Sequence, residues 1–107
     1  MDITTFSALA EPNRFRIVEL LLTGPLTVGE IASRLELRQP QASKHLKVLL
    51  EAGLVEAEVD ANRRNYRLCM EPLQAIDAWL DSYRAVWTER FDNLENYLQK
   101  LQSEDNK

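Results

Sequence analysis

The chain has 107 residues, 45% of them hydrophobic, with one cysteine, one histidine and three glycines. That supplies one small core rather than two. A lone histidine, no nucleophile elbow and too few glycines for a nucleotide-cradling loop leave catalysis without support. The formal net charge of −4 excludes a uniformly basic nucleic-acid binder, so any such function depends on where the charges lie.

Residues 2–10 predict a short first helix with Ile3, Phe6, Leu9 and Ala10 as its apolar face. Pro12 opens a second helix to about Leu22, with Phe15, Val18, Leu21 and Leu22 inward, and Gly24-Pro25 ends it. Arg14 and Arg16 read as solvated or ion-paired residues of that helix. A third helix begins at Thr27, whose hydroxyl and Glu30 three residues on form a capping box. Ile31, Ala32 and Leu35 are its apolar stripe, and Leu37 anchors the turn that follows.

The next helix, about 39–52, starts at Gln39-Pro40, where a missing N–H is harmless, and stops at Gly53, a left-handed C-cap. Ala42, Leu46, Leu49 and Leu50 form one buried face. The other faces carry Gln39, Gln41, Ser43, Lys44, His45 and Lys47, with no acid before Glu51. Amides, a hydroxyl and lysines opposite a buried face suit the DNA major groove.

Residues 55–69 predict a hairpin. Val55, Ala57 and Val59 alternate with Glu56, Glu58 and Asp60, and Asn65 to Cys69 forms the return strand with Tyr66 and Leu68 toward the core. The turn between them is Ala61-Asn62-Arg63-Arg64, in which the asparagine tolerates positive φ. Two helices followed by a basic-tipped hairpin predict a winged helix-turn-helix: mainly α, about five helices and a two-stranded wing in a single domain over 1–107. Residues 34–67 carry seven Lys/Arg against five Asp/Glu, whereas 71–107 carry four against eight. The basic charge is therefore concentrated in the reading helix and wing. A winged helix can also serve as a protein-interaction module without touching DNA, but such a module has no need of an unneutralised Gln/Ser/Lys face.

From Pro72 to about Gln102 there is no glycine or proline. Leu73, Ile76, Leu80, Tyr83, Trp87, Phe91, Leu94, Leu98 and Leu101 recur at steps of three and four, widened by Trp79, Val86 and Tyr97. The stripe is longer than one small core covers, so its later half predicts a homodimer interface with Phe6 and Leu9 alongside. A two-fold dimer implies a near-palindromic operator. No apolar run spans a membrane and no signal peptide is visible. One cysteine cannot close an internal disulfide, which fits a reducing cytoplasm. The polar tail Ser103–Lys107 is expected to fray.

Three segments resemble the ArsR/SmtB family of bacterial winged-helix repressors: LAEPNRFRIVELLL from Leu9, LRQPQASKHLKVLLEAGLV from Leu37 and the wing RRNYRL from Arg63. The resemblance covers nearly the whole chain. It implies a dimer joined by its first and last helices, double-stranded DNA as partner, and DNA contacts from Arg38, Gln39, Gln41, Ser43, Lys44, Lys47, Asn62, Arg63 and Arg64. His45, at the family's matching histidine, supports the helix or touches a phosphate. Two departures stand out: Arg38, where the family often has a serine N-cap, and Ala61-Asn62, where a glycine is common. Many members sense metal, through a Cys-x-Cys pair before the recognition helix or through Asp/His pairs on the last helix. VGEIASRL here has neither Cys nor His, and the last helix has no His. Asp77 and Asp81 alone are poor soft-metal ligands, and Cys69 lacks a second thiol. No metal or cofactor is expected; the sequence is silent on any other effector.

Overall fold

Helix boundaries follow the capping chemistry of the sequence. The computed structural model describes residues 3–105 and contains, in order, α1 (Ile3–Leu9), α2 (Pro12–Leu21), β1 (Leu26–Thr27), α3 (Val28–Leu35), α4 (Gln39–Glu51), β2 (Val55–Asp60), β3 (Arg63–Leu68) and α5 (Met70–Asp105). Glu11 caps α2, its Oε2 accepting the Arg14 N–H at 2.9 Å, with Pro12 in the first turn. Thr27 and Glu30 close the predicted capping box on α3: Thr27 Oγ1 accepts the Glu30 N–H at 3.2 Å, and Glu30 Oε1 accepts the Thr27 N–H at 3.2 Å. Those bonds from Thr27 hold the Glu30 carboxyl below its ordinary value, with Arg34 and Arg63 adding to the effect.

Two helices end in the same way. Leu37 N–H reaches Ala32 O at 2.9 Å and Glu36 N–H reaches Ser33 O at 3.3 Å; Leu54 N–H reaches Leu49 O and Gly53 N–H reaches Leu50 O, both at 3.0 Å. Each is a Schellman motif with a left-handed residue, Glu36 at φ 56° and Gly53 at φ 75°. The first makes the helix-turn-helix corner, and Leu37 is half-buried there as expected.

The core of the unit Met1–Gln74 closes around Ile17, Ile31, Leu46, Leu49 and Leu54, all fully buried, with Val18, Leu21, Leu26, Val55 and Tyr66 around them. The predicted α3 and α4 faces hold. The faces of the first two helices are turned from those expected. In α1 the buried residues are Thr5 and Ala8, with Leu9 partly packed, while Ile3 and Phe6 are exposed. In α2 Ile17 joins Val18 and Leu21 inside, while Phe15 and Leu22 are exposed. With hydrophobic residues on more than one side of each helix, periodicity alone does not choose the buried arc.

The hairpin differs from expectation in three ways. It belongs to a three-stranded sheet of order β1-β3-β2, because Leu26 and Thr27 pair with Tyr66 and Asn65. Its strands meet earlier, with Asp60 opposite Arg63, so the loop is only Ala61-Asn62, and Arg63 and Arg64 are strand residues. The left-handed residue of that loop is Ala61 at φ 57°, not Asn62. On β2 Val55 is buried but Ala57 and Val59 are exposed, since the core reaches only the base of the hairpin.

The chain divides into two compact units, Met1–Gln74 and Ala75–Lys107. α5 starts at Met70 rather than Pro72, because a proline within the first helical turn removes an N–H that has no partner there. It ends at Asp105 rather than Gln102; residues 106–107 of the expected frayed tail, and residue 2 at the expected start of α1, lie outside the described residues. At 36 residues α5 is about 54 Å long. Leu73 packs on the core of the first unit. In the second, Ile76 and Leu80 are half-buried, and Trp79, Tyr83, Val86, Trp87, Phe91, Leu94, Tyr97, Leu98 and Leu101 are exposed. Among the described residues no helix is long and apolar enough to cross a membrane.

Candidate nucleic-acid interface

The outward side of α4 carries the polar residues that its sequence promised. Ala42, Leu46 and Leu49 are fully buried, whereas Gln39, Gln41, Ser43, Lys44 and Lys47 are exposed. Arg38 occupies the N-cap with extended backbone. A guanidinium has no acceptor, so only half of a capping box forms: the Arg38 N–H donates to Gln41 Oε1 at 3.2 Å. Gln41 therefore has a structural duty that sequence reading did not foresee, and its amide NH2 is the part left to meet a base.

At the wing, Asn62, Arg63 and Arg64 are exposed. They face the start of α3 across an open cleft of about 580 Å³ lined also by Thr27, Val28, Gly29 and Glu30. The capping box at Thr27 was legible in the sequence; its position beside the wing arginines was not, because nothing local encodes that the hairpin returns to the α3 terminus.

The cations sort into two groups. Arg14 donates through Nε to Ala8 O at 2.7 Å, satisfying the end of α1, and Arg16 reaches Leu35 O at 3.4 Å at the end of α3. Arg67 is held by Glu56 at 2.5 Å and Glu58 at 3.3 Å across the hairpin; the bond from Glu56 and both nearby charges keep its guanidinium more firmly protonated than usual. Arg84 bridges Asp77, at 3.5 Å, and Asp81 on α5. Among the described residues, Arg38, Lys44, Lys47, Arg63 and Arg64 form no ion pair, and neither do Arg34 on α3 or Arg90 and Lys100 on α5; what sets the first five apart is that they lie on the recognition helix, its N-cap and the wing. A cation without a protein carboxylate is available to a phosphate.

His45 is set apart from the exposed group. It is half-buried, with Nδ1 3.6 Å from Glu11 Oε2, so the structure directs it toward the α2 cap. Cys69 is half-buried, and burial, with help from Glu56, pushes its thiol above the ordinary range. That environment suits a packing residue rather than a reactive thiolate. Among the described residues no group of three or more His, Cys, Asp or Glu side chains is placed to hold a metal ion.

A Schellman-turned helix pair, a second helix with a free amide and lysine face, and a hairpin tipped by unpaired arginines define a winged helix-turn-helix DNA-binding protein. A helix-turn-helix domain family matches residues 9–58. The HTH-type transcriptional regulator Rv2034 of Mycobacterium tuberculosis is 41% identical over 99 residues, covering 92% of this chain and 87% of that protein. A crystal structure of an ArsR family transcriptional regulator, RHA00566, superposes with a TM-score of 0.68 at 31% identity, covering 78% of this chain and 87% of the other. The solution structure of the homodimeric winged helix-turn-helix DNA-binding domain of Mb0332 from Mycobacterium bovis gives 0.65 at 30% identity, covering 77% and 76%. The chain belongs to the ArsR family and is a DNA-binding transcriptional regulator.

Proposed function

We propose that the protein is a homodimeric, cytoplasmic repressor that binds a near-palindromic operator and occludes a promoter, with no catalytic step of its own. The observation that carries this reading is the set of unpaired cations, Arg38, Lys44, Lys47, Arg63 and Arg64, flanking the exposed Gln39, Gln41 and Ser43. The recognition helix α4 reads bases through Gln39, Gln41 and Ser43, Lys44 and Lys47 meet phosphates or guanine edges, and the wing arginines enter the minor groove or bind its phosphates. Dimerisation is supported by the apolar stripe of α5, whose large side chains from Trp79 to Leu101 stand about half exposed. A surface that apolar associates. A second copy of the same helix is the most economical partner, with Phe6 and Leu9 contributing, and a two-fold pair presents two reading helices to two half-sites.

Selection of bound duplexes from a random library, followed by titration across salt concentrations, tests the reading. An inverted repeat emerges. Ser43→Ala relaxes the preference at one base position; Gln41→Ala does the same but also removes the α4 cap bond. Arg63→Ala combined with Arg64→Ala weakens binding to every sequence and reduces the salt slope by up to about two units. Equal, weak affinity for selected and random duplexes at every salt defeats the proposal.

The family's usual metal triggers are not expected to act here. Cysteine and histidine are missing from both familiar sites, and the carboxylates of Asp77 and Asp81 already hold Arg84. Titration with zinc, copper, cadmium or arsenite therefore leaves operator affinity unchanged. A stoichiometric site of sub-micromolar affinity that releases DNA overturns that expectation.

A further inference from the structure

Glu30 is the one carboxylate lining the cleft between the wing and the start of α3, a cleft it shares with Arg63 and Arg64. The residue is exposed, but its carboxylate is tethered. The Thr27 N–H and the Thr27 hydroxyl both donate to Oε1, at 3.2 and 3.0 Å. Oε2 accepts no bond among the described residues. Arg63 does not close onto it as an ion pair. The two charges still feel each other across the cleft: behind the bonds from Thr27, Arg34 and Arg63 both help to hold the Glu30 carboxyl below its ordinary value.

We propose that Glu30 is a built-in brake on DNA binding, a carboxylate anchored in the wing cleft that opposes the phosphate Arg63 is placed to receive. The brake presupposes that the wing lies against DNA, as proposed for its arginines. In the free protein the Arg63 guanidinium is attracted by Glu30. In the complex it turns to a phosphate and gives up part of that attraction, while the phosphate meets the Glu30 charge. Both changes occur only on binding, so both weaken it. A carboxylate free to swing would leave the cleft or pair closely with Arg63; the two bonds from Thr27 prevent both. Phosphate attraction is shared by all sequences, whereas bases are read by α4. A brake on the first term leaves the second untouched. It lowers affinity for operator and unrelated DNA by the same factor.

The register of the hairpin singles out Arg63 as the arginine under restraint. Asp60 stands directly across the ladder from it and adds a second negative charge beside the same guanidinium. Arg64 is opposite the uncharged Val59, and successive residues of a strand point to opposite faces of the sheet. Further down the hairpin, Glu56 and Glu58 are held by Arg67. Glu30 therefore acts as a positioning residue, working by charge on Arg63 and on the incoming phosphate.

The test titrates a duplex selected by the wild-type protein and an unrelated one, from about 0.1 M salt upward. Glu30→Gln removes the charge and keeps an oxygen for the Thr27 N–H, since glutamine also serves at this capping position. Glu30→Asp keeps the charge but lacks the reach for the cap. Glu58→Gln makes the same charge change in the hairpin, at a carboxylate already held by Arg67. Glu30→Gln is expected to bind both duplexes roughly two- to fivefold tighter for each half-site engaged, with the ratio of the two affinities unchanged and the gain shrinking as salt rises. In an Arg63→Ala background the gain falls to about half or less, because the guanidinium through which Glu30 acts is gone. Glu30→Asp and Glu58→Gln bind within about 1.5-fold of wild type. Unchanged binding by Glu30→Gln overturns the brake, and weaker binding overturns it by showing that Glu30 aims Arg63 instead of opposing the phosphate. An equal gain in Glu58→Gln, or an undiminished gain in the Arg63→Ala background, assigns the effect to net charge and overturns it too. An equal gain in Glu30→Asp assigns it to the cap, with the same consequence. Arg63→Ala that alters affinity for neither duplex is a distinct failure: the wing does not reach DNA, and the brake falls with that reading.

Discussion

The two units of this chain treat their apolar residues in opposite ways. In Met1–Gln74, Ile17, Ile31, Leu46, Leu49 and Leu54 have no accessible surface. In Ala75–Lys107, among the described residues, none is buried, although Trp79, Tyr83, Trp87, Phe91 and Leu94 are as large. The aromatic side chains there do meet one another: Tyr83 stacks on Trp87 with centroids 6.4 Å apart, and Trp87 meets Phe91 edge-to-face at 5.0 Å. These are contacts along one helix, one turn apart, and they leave the outer faces bare. A unit with its own core can present a DNA-reading surface without help. A single amphipathic helix cannot bury its stripe on itself, which is why the proposed dimer is built there.

The sharpest way to break that contrast is a charge in the second unit. Leu94→Glu is expected to convert a sedimenting dimer to a monomer, because each large side chain buried at the interface contributes roughly 1.5–3 kcal/mol and a carboxylate in the seam opposes closure. Operator affinity then falls by about 10²–10⁴-fold, as the second half-site loses its tethered partner, although no DNA-facing residue has changed. A wild-type protein that sediments as a monomer at micromolar concentration and still binds its operator tightly would show that the stripe serves something else.

The first unit should fail differently. Leu46→Ala on α4 removes a fully buried side chain and is expected to cost roughly 2–5 kcal/mol of stability. Urea unfolding reads this as a lower midpoint at unchanged slope. At low denaturant, where the variant is still folded, DNA affinity stays close to wild type. A cost below about 1 kcal/mol shows that the site collapses around the loss and that the core is looser than its burial indicates.

How much of this was legible in the sequence depends on how local the signal is. The α3 capping box needs only Thr27 and Glu30, and the stop at Gly53 needs only one glycine; both were read correctly. The α4 face was legible because Ala42, Leu46 and Leu49 share a helical spacing with no competing apolar arc. Phe15 and Leu22 were assigned inward and lie outside, because α2 also offers Ile17 at a position its partners prefer. The strand Leu26–Thr27 has only two residues and exists through pairing with Tyr66 and Asn65, some forty positions away, so no window of sequence reveals it. The same holds for the meeting of Glu11 and His45. Among the site residues, exposure and the absence of ion pairs came from the structure, while the choice of residue types was already visible.

A finer comparison lies inside the first unit, between the ends of α3 and α4. Both use the same pair of hydrogen bonds and both place the next residue in the left-handed region, but one uses Glu36 and the other Gly53. An L-residue there carries a cost of about 1–2 kcal/mol that glycine avoids, while glycine carries the larger entropy of the unfolded chain. Glu36→Gly is therefore expected to stabilise the protein by roughly 0.5–1 kcal/mol, and Gly53→Ala to destabilise it by about 1 kcal/mol. The Gly53 effect is one of backbone alone, since a Cβ added there meets nothing within 4 Å. Glu36 is exposed and in no ion pair among the described residues, so its side chain has little to lose. Urea unfolding of the two variants checks both signs at once. Should both lower stability, the carboxylate at the helix-turn-helix corner has a role that its exposure does not reveal; should both leave it unchanged, the left-handed turn is not what ends these helices.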